Sequence, residues 1–110
     1  MPGLRSEVTE DARTDLALQY AWYARAANID VAERYLSAFR QTVELLVGRP
    51  EAGRLRRFRD PRLHDIRSFQ LRGAFSAHLL FYRLEDELLV VFRVMHGMRD
   101  LPRRLVEPPG

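Results

Sequence analysis

The side chains able to do chemistry in this sequence gather in three places, and arginine dominates all of them. Between Arg49 and Arg72 stand Arg49, Arg54, Arg56, Arg57, Arg59, Arg62, Arg67 and Arg72, opposed only by Glu51, Asp60 and Asp65. A guanidinium is a planar fork of N–H donors that matches carboxylates and phosphates bidentately. Such a field favours an acidic partner, either a nucleic-acid backbone or an acidic protein segment, and charge alone does not choose between them. The bland alternative for so dense a run is a solvated loop. The second place is Arg83 with Arg93, in two apolar stretches joined by Glu85-Asp86-Glu87. On neighbouring strands their forks would line one polar face, so reversing either charge is expected to remove binding and leave the fold intact. The third is His96, followed closely by Arg99 and Asp100. An imidazole beside a cation and a carboxylate can move protons near neutral pH. The competing reading has His96 hydrogen-bond the backbone or Asp100 and shape the strand exit.

All eighteen basic residues are arginine, which puts the isoelectric point near 9.9. Genomic base composition accounts for the missing lysines but not for the crowding of arginines in the middle. There is no cysteine, hence no disulfide or thiolate site, and His64, His78 and His96 have no ligand spacing, so neither metal nor cofactor is expected. A chain of 110 residues, 46% hydrophobic, suits one domain over 1–110 with one core, residues 1–3 and 107–110 being read as flexible tails. No apolar run is long enough to span a bilayer, and Met1 to Glu7 lacks a signal peptide's apolar stretch, so a cytoplasmic protein without membrane contact is expected.

These side chains need elements to position them. Leu4–Val8 reads as a short strand, and Thr9 as the N-cap of a helix over Glu10–Ala27, with Glu10 and Asp11 in its first turn. Ala12, Leu16, Tyr20, Tyr23 and Ala24 make its buried stripe, leaving Asp15 and Trp22 off it. Asp30 with Glu33 has capping-box spacing for a second helix, whose stripe is Ala32, Tyr35, Leu36, Phe39, Val43, Leu46 and Val47, stopped at Gly48-Arg49-Pro50. Pro50–Pro61 reads as a surface loop in which Gly53 permits a tight turn. Asp65–Leu71, Ala77–Leu84 and Leu88–Val94 read as strands of an antiparallel meander, the last of them central. The fold class is α+β: an N-terminal strand and an antiparallel two-helix hairpin packed on a three- to four-stranded antiparallel sheet, with the other face wet.

That order of elements resembles the RelE/ParE toxin superfamily, and particular segments carry the likeness. Asp15-Leu16 through Tyr20 and Tyr23, Ala32-Glu33-Arg34-Tyr35-Leu36, Arg49-Pro50-Glu51-Ala52-Gly53-Arg54 and Leu79-Leu80-Phe81-Tyr82-Arg83 are similar to the ParE branch. Phe92 to Leu101 resembles the family's closing Arg-Val-Leu-His-Gly-Ala-Arg-Asp-Leu pattern. The resemblance covers nearly the whole chain. It implies the toxin of a type II toxin–antitoxin pair, of the kind that traps DNA gyrase on broken DNA and is neutralised by a ParD-like antitoxin. The alternative within the superfamily is a RelE-like, ribosome-dependent mRNA endonuclease, for which His96, Arg99 and Arg83 would be the catalytic set. Two departures count against it: Leu79 stands where those nucleases tend to carry a phosphate-binding arginine, and no tyrosine follows Tyr82. A third reading is a remnant that has lost toxicity and only binds its antitoxin.

The resemblance also gives the candidate surfaces an occupant. Arg54, Arg57, Arg83, Arg93 and Arg99 are expected to hold the target, through acidic side chains of gyrase or phosphates of its DNA. Trp22, Tyr23 and Phe39 are expected to receive the antitoxin, Trp22 because an off-stripe tryptophan suits a protein contact. Operator DNA would be reached only through the antitoxin complex.

Overall fold

The computed structural model of the chain describes residues 4–97 and 101–110. β1 (Arg5–Val8) leads into α1 (Glu10–Ala26) and α2 (Ile29–Gly48). Then come β2 (Arg54–Leu55), β3 (Arg67–Gln70), β4 (His78–Glu85), β5 (Leu88–His96) and a closing helix, α3 (Leu101–Val106). The strands form one sheet in the order β1-β5-β4-β3-β2, in which only β1 runs parallel to its neighbour. The expected α+β layout is present, with more strands than expected. The extra one is β2, two residues long and paired through Arg54 and Leu55 to Ser68 and Arg67 of β3. A strand that short has no periodicity to read.

Local signals place both helices. The Thr9 hydroxyl accepts from the Ala12 amide, as an N-cap should. For α2 the cap is Asn28, whose side-chain oxygen accepts from the Val31 amide. The capping box expected from Asp30 and Glu33 does not form, because Asn28, in extended backbone, starts the helix two residues earlier. Glu33 instead accepts from the Tyr20 hydroxyl at 2.6 Å and staples the two helices.

The helical hairpin covers one face of the sheet, where Ala12, Tyr35, Phe39 and Leu46 meet Leu80, Tyr82, Leu89, Val91 and Val94. The other face is not wet. Leu79, Phe81 and Met95 pack there against Leu63, Ile66, Leu101 and Leu105, a second core built by the loop before β3 and by α3. Burial on both faces explains why His78 to Tyr82 is nearly continuous in apolar residues instead of alternating. β5 lies inside the sheet as expected, between β1 and β4. Gly53 has a different reason from the tight turn expected for it. Its amide donates to the Tyr82 hydroxyl at 2.9 Å, and a methyl group there would lie 2.6 Å from Tyr82 Cε1. Among the described residues no helix is long and apolar enough to cross a membrane.

Candidate functional site

β1 pairs with β5 only from Leu88 to Val91. Beyond that point side chains of α1 take over the open edge. The Thr9 hydroxyl donates to the Phe92 carbonyl at 2.8 Å, Gln19 to the Val94 carbonyl at 2.8 Å, and Asp15 accepts from the Val94 amide at 3.0 Å. Asp15, expected on the solvent side of α1, is therefore buried. It also accepts two bonds from the Arg93 fork, at 2.8 Å from Nε and 3.0 Å from Nη2. The remaining nitrogen of Arg93 donates to the carbonyls of Arg104, Leu105 and Glu107 at 3.1, 3.3 and 2.6 Å, filling acceptors left open where α3 ends.

Arg93 is thus only 3% exposed and does not line a polar sheet face. The polar face it was expected to share with Arg83 is absent as well: Arg83 stands opposite Val90 and Arg93 opposite Phe81 across an irregularity in β4. Arg83 is itself engaged. It donates to the carbonyls of His64 at 2.9 Å and Arg62 at 2.8 Å, and its guanidinium lies over the Phe92 ring. Both arginines hold the fold together, so neither offers a free fork to a target.

A cavity of about 380 Å³ opens among Gln19, Trp22, Tyr23, His78 and His96. The Tyr23 hydroxyl and His78 Nε2 are 2.8 Å apart, and the His78 and His96 rings stack edge to face at 4.9 Å. His78 was not singled out from sequence, because it reads as one polar residue in an apolar strand. Burial, with the neighbouring His96 adding to it, lowers its pKa from 6.5 to about 4, so it is neutral at physiological pH. The His96 ring is exposed, and its carbonyl accepts from Arg104 at 2.9 Å. Arg99 and Asp100, expected beside it, lie outside the described residues. Trp22 is 57% exposed at the rim, and Leu18 one turn before it is also exposed. Tyr23 is half-buried between Trp22 and His78, whereas Phe39 is a core residue and presents nothing to a partner.

The arginine run divides by engagement. Arg62 pairs with Asp60 at 2.7 Å, and Arg67 clamps the Gly53 carbonyl at 2.9 Å. Arg54, Arg57, Arg59 and Arg72 have no side-chain bond among the described residues. Extended backbone alternates sides, so Arg54 and Arg56 open into one cavity of about 570 Å³, joined by Arg72 from beyond β3. Arg57 lies in a second cavity of about 170 Å³ with Phe58, His64 and Asp65, which Arg56 also lines. Arg56 is half-buried, its Nε donating to Ser68 Oγ at 2.8 Å. Burial, and then the like charge of Arg54, lower its pKa. Arg56 enters the expectation only as a member of the run, and Arg72 is not among the expected target contacts; their tertiary proximity across β3 distinguishes them from the rest of the run.

Comparison with known proteins follows the same line. The family model described as the ParE toxin of the parDE type II toxin-antitoxin system matches residues 7–101. A solved structure of a chromosomal ParDE TA system from P. aeruginosa superimposes with a TM-score of 0.70 at 17% identity, covering 86% of this chain and 97% of that one. At such identity the likeness is one of fold. No curated protein matches the chain.

Proposed function

The chain belongs to the ParE toxin family of type II toxin–antitoxin systems, and from that premise we propose that it inhibits DNA gyrase and is neutralised by a ParD-like antitoxin. One observation carries the choice of a non-cutting toxin over a nuclease. Cleaving a phosphodiester with side chains alone requires a cation on the phosphate and an acid or base within reach of the same atoms. Among the described residues, the cavity that gathers Arg54, Arg56 and Arg72 holds the cations without the acid or base. The arginine cavity has Leu79 at its wall and no histidine, tyrosine or carboxylate. The cavity of Tyr23, His78 and His96 is lined by no arginine, and in the adjoining cavity Arg93 is engaged by Asp15 and Arg104 by the His96 carbonyl.

An antitoxin partner is supported by the exposed Leu18 and Trp22 on α1, which offer apolar surface at helical spacing to a partner helix. Operator DNA would be contacted through that complex, and the site of action would be the cytoplasm, where gyrase works. A remnant without toxicity remains the alternative should the protein leave gyrase untouched.

The deciding experiment expresses the chain in bacteria and scores growth, SOS induction and messenger RNA integrity together. The purified protein is then added to gyrase supercoiling and cleavage assays. Filamentation, SOS induction, intact messages and accumulated gyrase–DNA cleavage complexes are expected. Rapid translation arrest with cut messages would overturn the reading in favour of a ribosome-dependent nuclease.

A further inference from the structure

The cavity beside β2 and β3 concentrates positive charge. Arg54, Arg56 and Arg72 open into it, and no carboxylate is among the described residues that line it. Arg56 is half-buried beside the like charge of Arg54, and its one side-chain bond is to the neutral Ser68 hydroxyl. Arg54 and Arg72 are exposed, whereas the half-buried Arg56 guanidinium meets no carboxylate in this cavity, and an anion bound there would offset its partial desolvation. Elsewhere in the same run the chain supplies partners, Asp60 to Arg62 and backbone carbonyls to Arg67.

The kind of anion follows from the donors. Gln70 and Ser76, both exposed, stand on the same rim, and Leu71 and Leu79 form an apolar part of the wall. Arginine forks with serine and glutamine side chains are the donors that nucleic-acid-binding proteins aim at phosphate oxygens, and apolar wall beside them suits the sugar. A single carboxylate engages one fork, whereas the regularly spaced phosphates of a strand present an anion to each of the three.

We propose that this cavity is a phosphodiester site in which Arg54, Arg56 and Arg72, aided by Gln70 and Ser76, hold the backbone of a nucleic-acid strand. The inference deepens the gyrase reading and rests on it for its occasion, because the DNA held open by gyrase is the strand at hand.

The test is fluorescence anisotropy of the purified full chain with a labelled DNA duplex across a salt series. Arg54→Glu/Arg72→Glu is compared with Arg13→Glu/Arg25→Glu on α1, which changes net charge equally, and matching thermal melts establish that both variants fold. Each phosphate contact removed should flatten the log–log salt slope by about 0.9, so the cavity double variant should lose about 1.8 and bind at least about tenfold more weakly. The α1 variant should keep the wild-type slope. Equal losses in both variants would reduce the effect to net charge and overturn the site. So would a poly-glutamate peptide that binds the cavity more tightly than the duplex, which would make an acidic protein the occupant. Gyrase cleavage assays separate the two claims. If the wild type leaves gyrase untouched while DNA binding still depends on Arg54 and Arg72, the gyrase reading fails and the phosphodiester site stands. If poisoning persists in a protein that never bound DNA, the site fails alone.

Discussion

Asp15 and Arg93 lie 78 residues apart in sequence and meet through two bonds in the interior, Nε to Oδ2 at 2.8 Å and Nη2 to Oδ1 at 3.0 Å. The pair joins three elements, because Asp15 also caps the edge of β5 and Arg93 also holds the end of α3. Removing one partner leaves the other buried without its counter-charge, at a cost of about 3–5 kcal/mol. Asp15→Ala and Arg93→Met should each lower the unfolding free energy by about that amount in urea titrations. Combined, they should lose less than the sum of the two. Strictly additive losses would show that the two residues do not act as a unit.

The buried His78 makes stability depend on pH. Its folded-state pKa of about 4 lies below the ordinary 6.5, because burial and then His96 oppose its charge. Between those values the unfolded chain binds a proton that the folded chain does not. Its contribution is therefore complete above pH 6.5 and is lost as the pH falls toward 4, with a slope of at most about 1.4 kcal/mol per pH unit. Thermal melts across that window should show the decline, and His78→Gln should flatten it. An unchanged slope in His78→Gln would assign the acid sensitivity to other groups.

Gly53 and Tyr82 interlock, the hydroxyl accepting from the Gly53 amide at 2.9 Å and donating to the Pro50 carbonyl at 2.7 Å. Gly53→Ala places a methyl group into the ring and should cost about 1–3 kcal/mol by overpacking. Tyr82→Phe keeps the packing and strands two backbone groups, for a loss of about 1–3 kcal/mol. Phenylalanine removes the hydroxyl but keeps Cε1 2.6 Å from the added methyl, so the clash is relieved only in part and Gly53→Ala should cost somewhat less in the Tyr82→Phe background than alone. Chemical denaturation of the four proteins measures it.

Trp22 is exposed, so Trp22→Glu should change stability by no more than about 0.5 kcal/mol. If it anchors the antitoxin, the same change should weaken the complex by about 2 kcal/mol or more, roughly thirtyfold in Kd. Titration calorimetry with the antitoxin separates the two effects, and an unaltered Kd would move the anchor elsewhere on the helices.

Much of this protein was legible along the chain. Thr9 announces its helix, Gly48 ends the second, and Trp22 falls off the buried stripe because a period of 3.6 leaves it there. The three longer strands, the position of the arginine run and the family resemblance are likewise properties of near neighbours and their order, which packing did not have to decide. Phe39 shows the limit of the same reasoning: its stripe position marked it as apolar, but not whether a partner or the protein's own sheet would cover it.

What remained hidden depends on elements far apart in sequence. A polar residue such as Asp15 reads the same on a helix whether it faces water or a guanidinium, and Arg93 reads as an exposed strand residue until α3 is folded over it. Six residues containing Pro102 carry too little periodicity to announce that helix, and with it the second core was missed. Sequence counted the arginines; only the tertiary structure sorted them, giving Arg62, Arg67, Arg83 and Arg93 to internal partners and leaving Arg54, Arg56 and Arg72 together without one carboxylate. The physical reason is that charge pairing is a matter of a few ångströms in space, and chain order does not encode that distance.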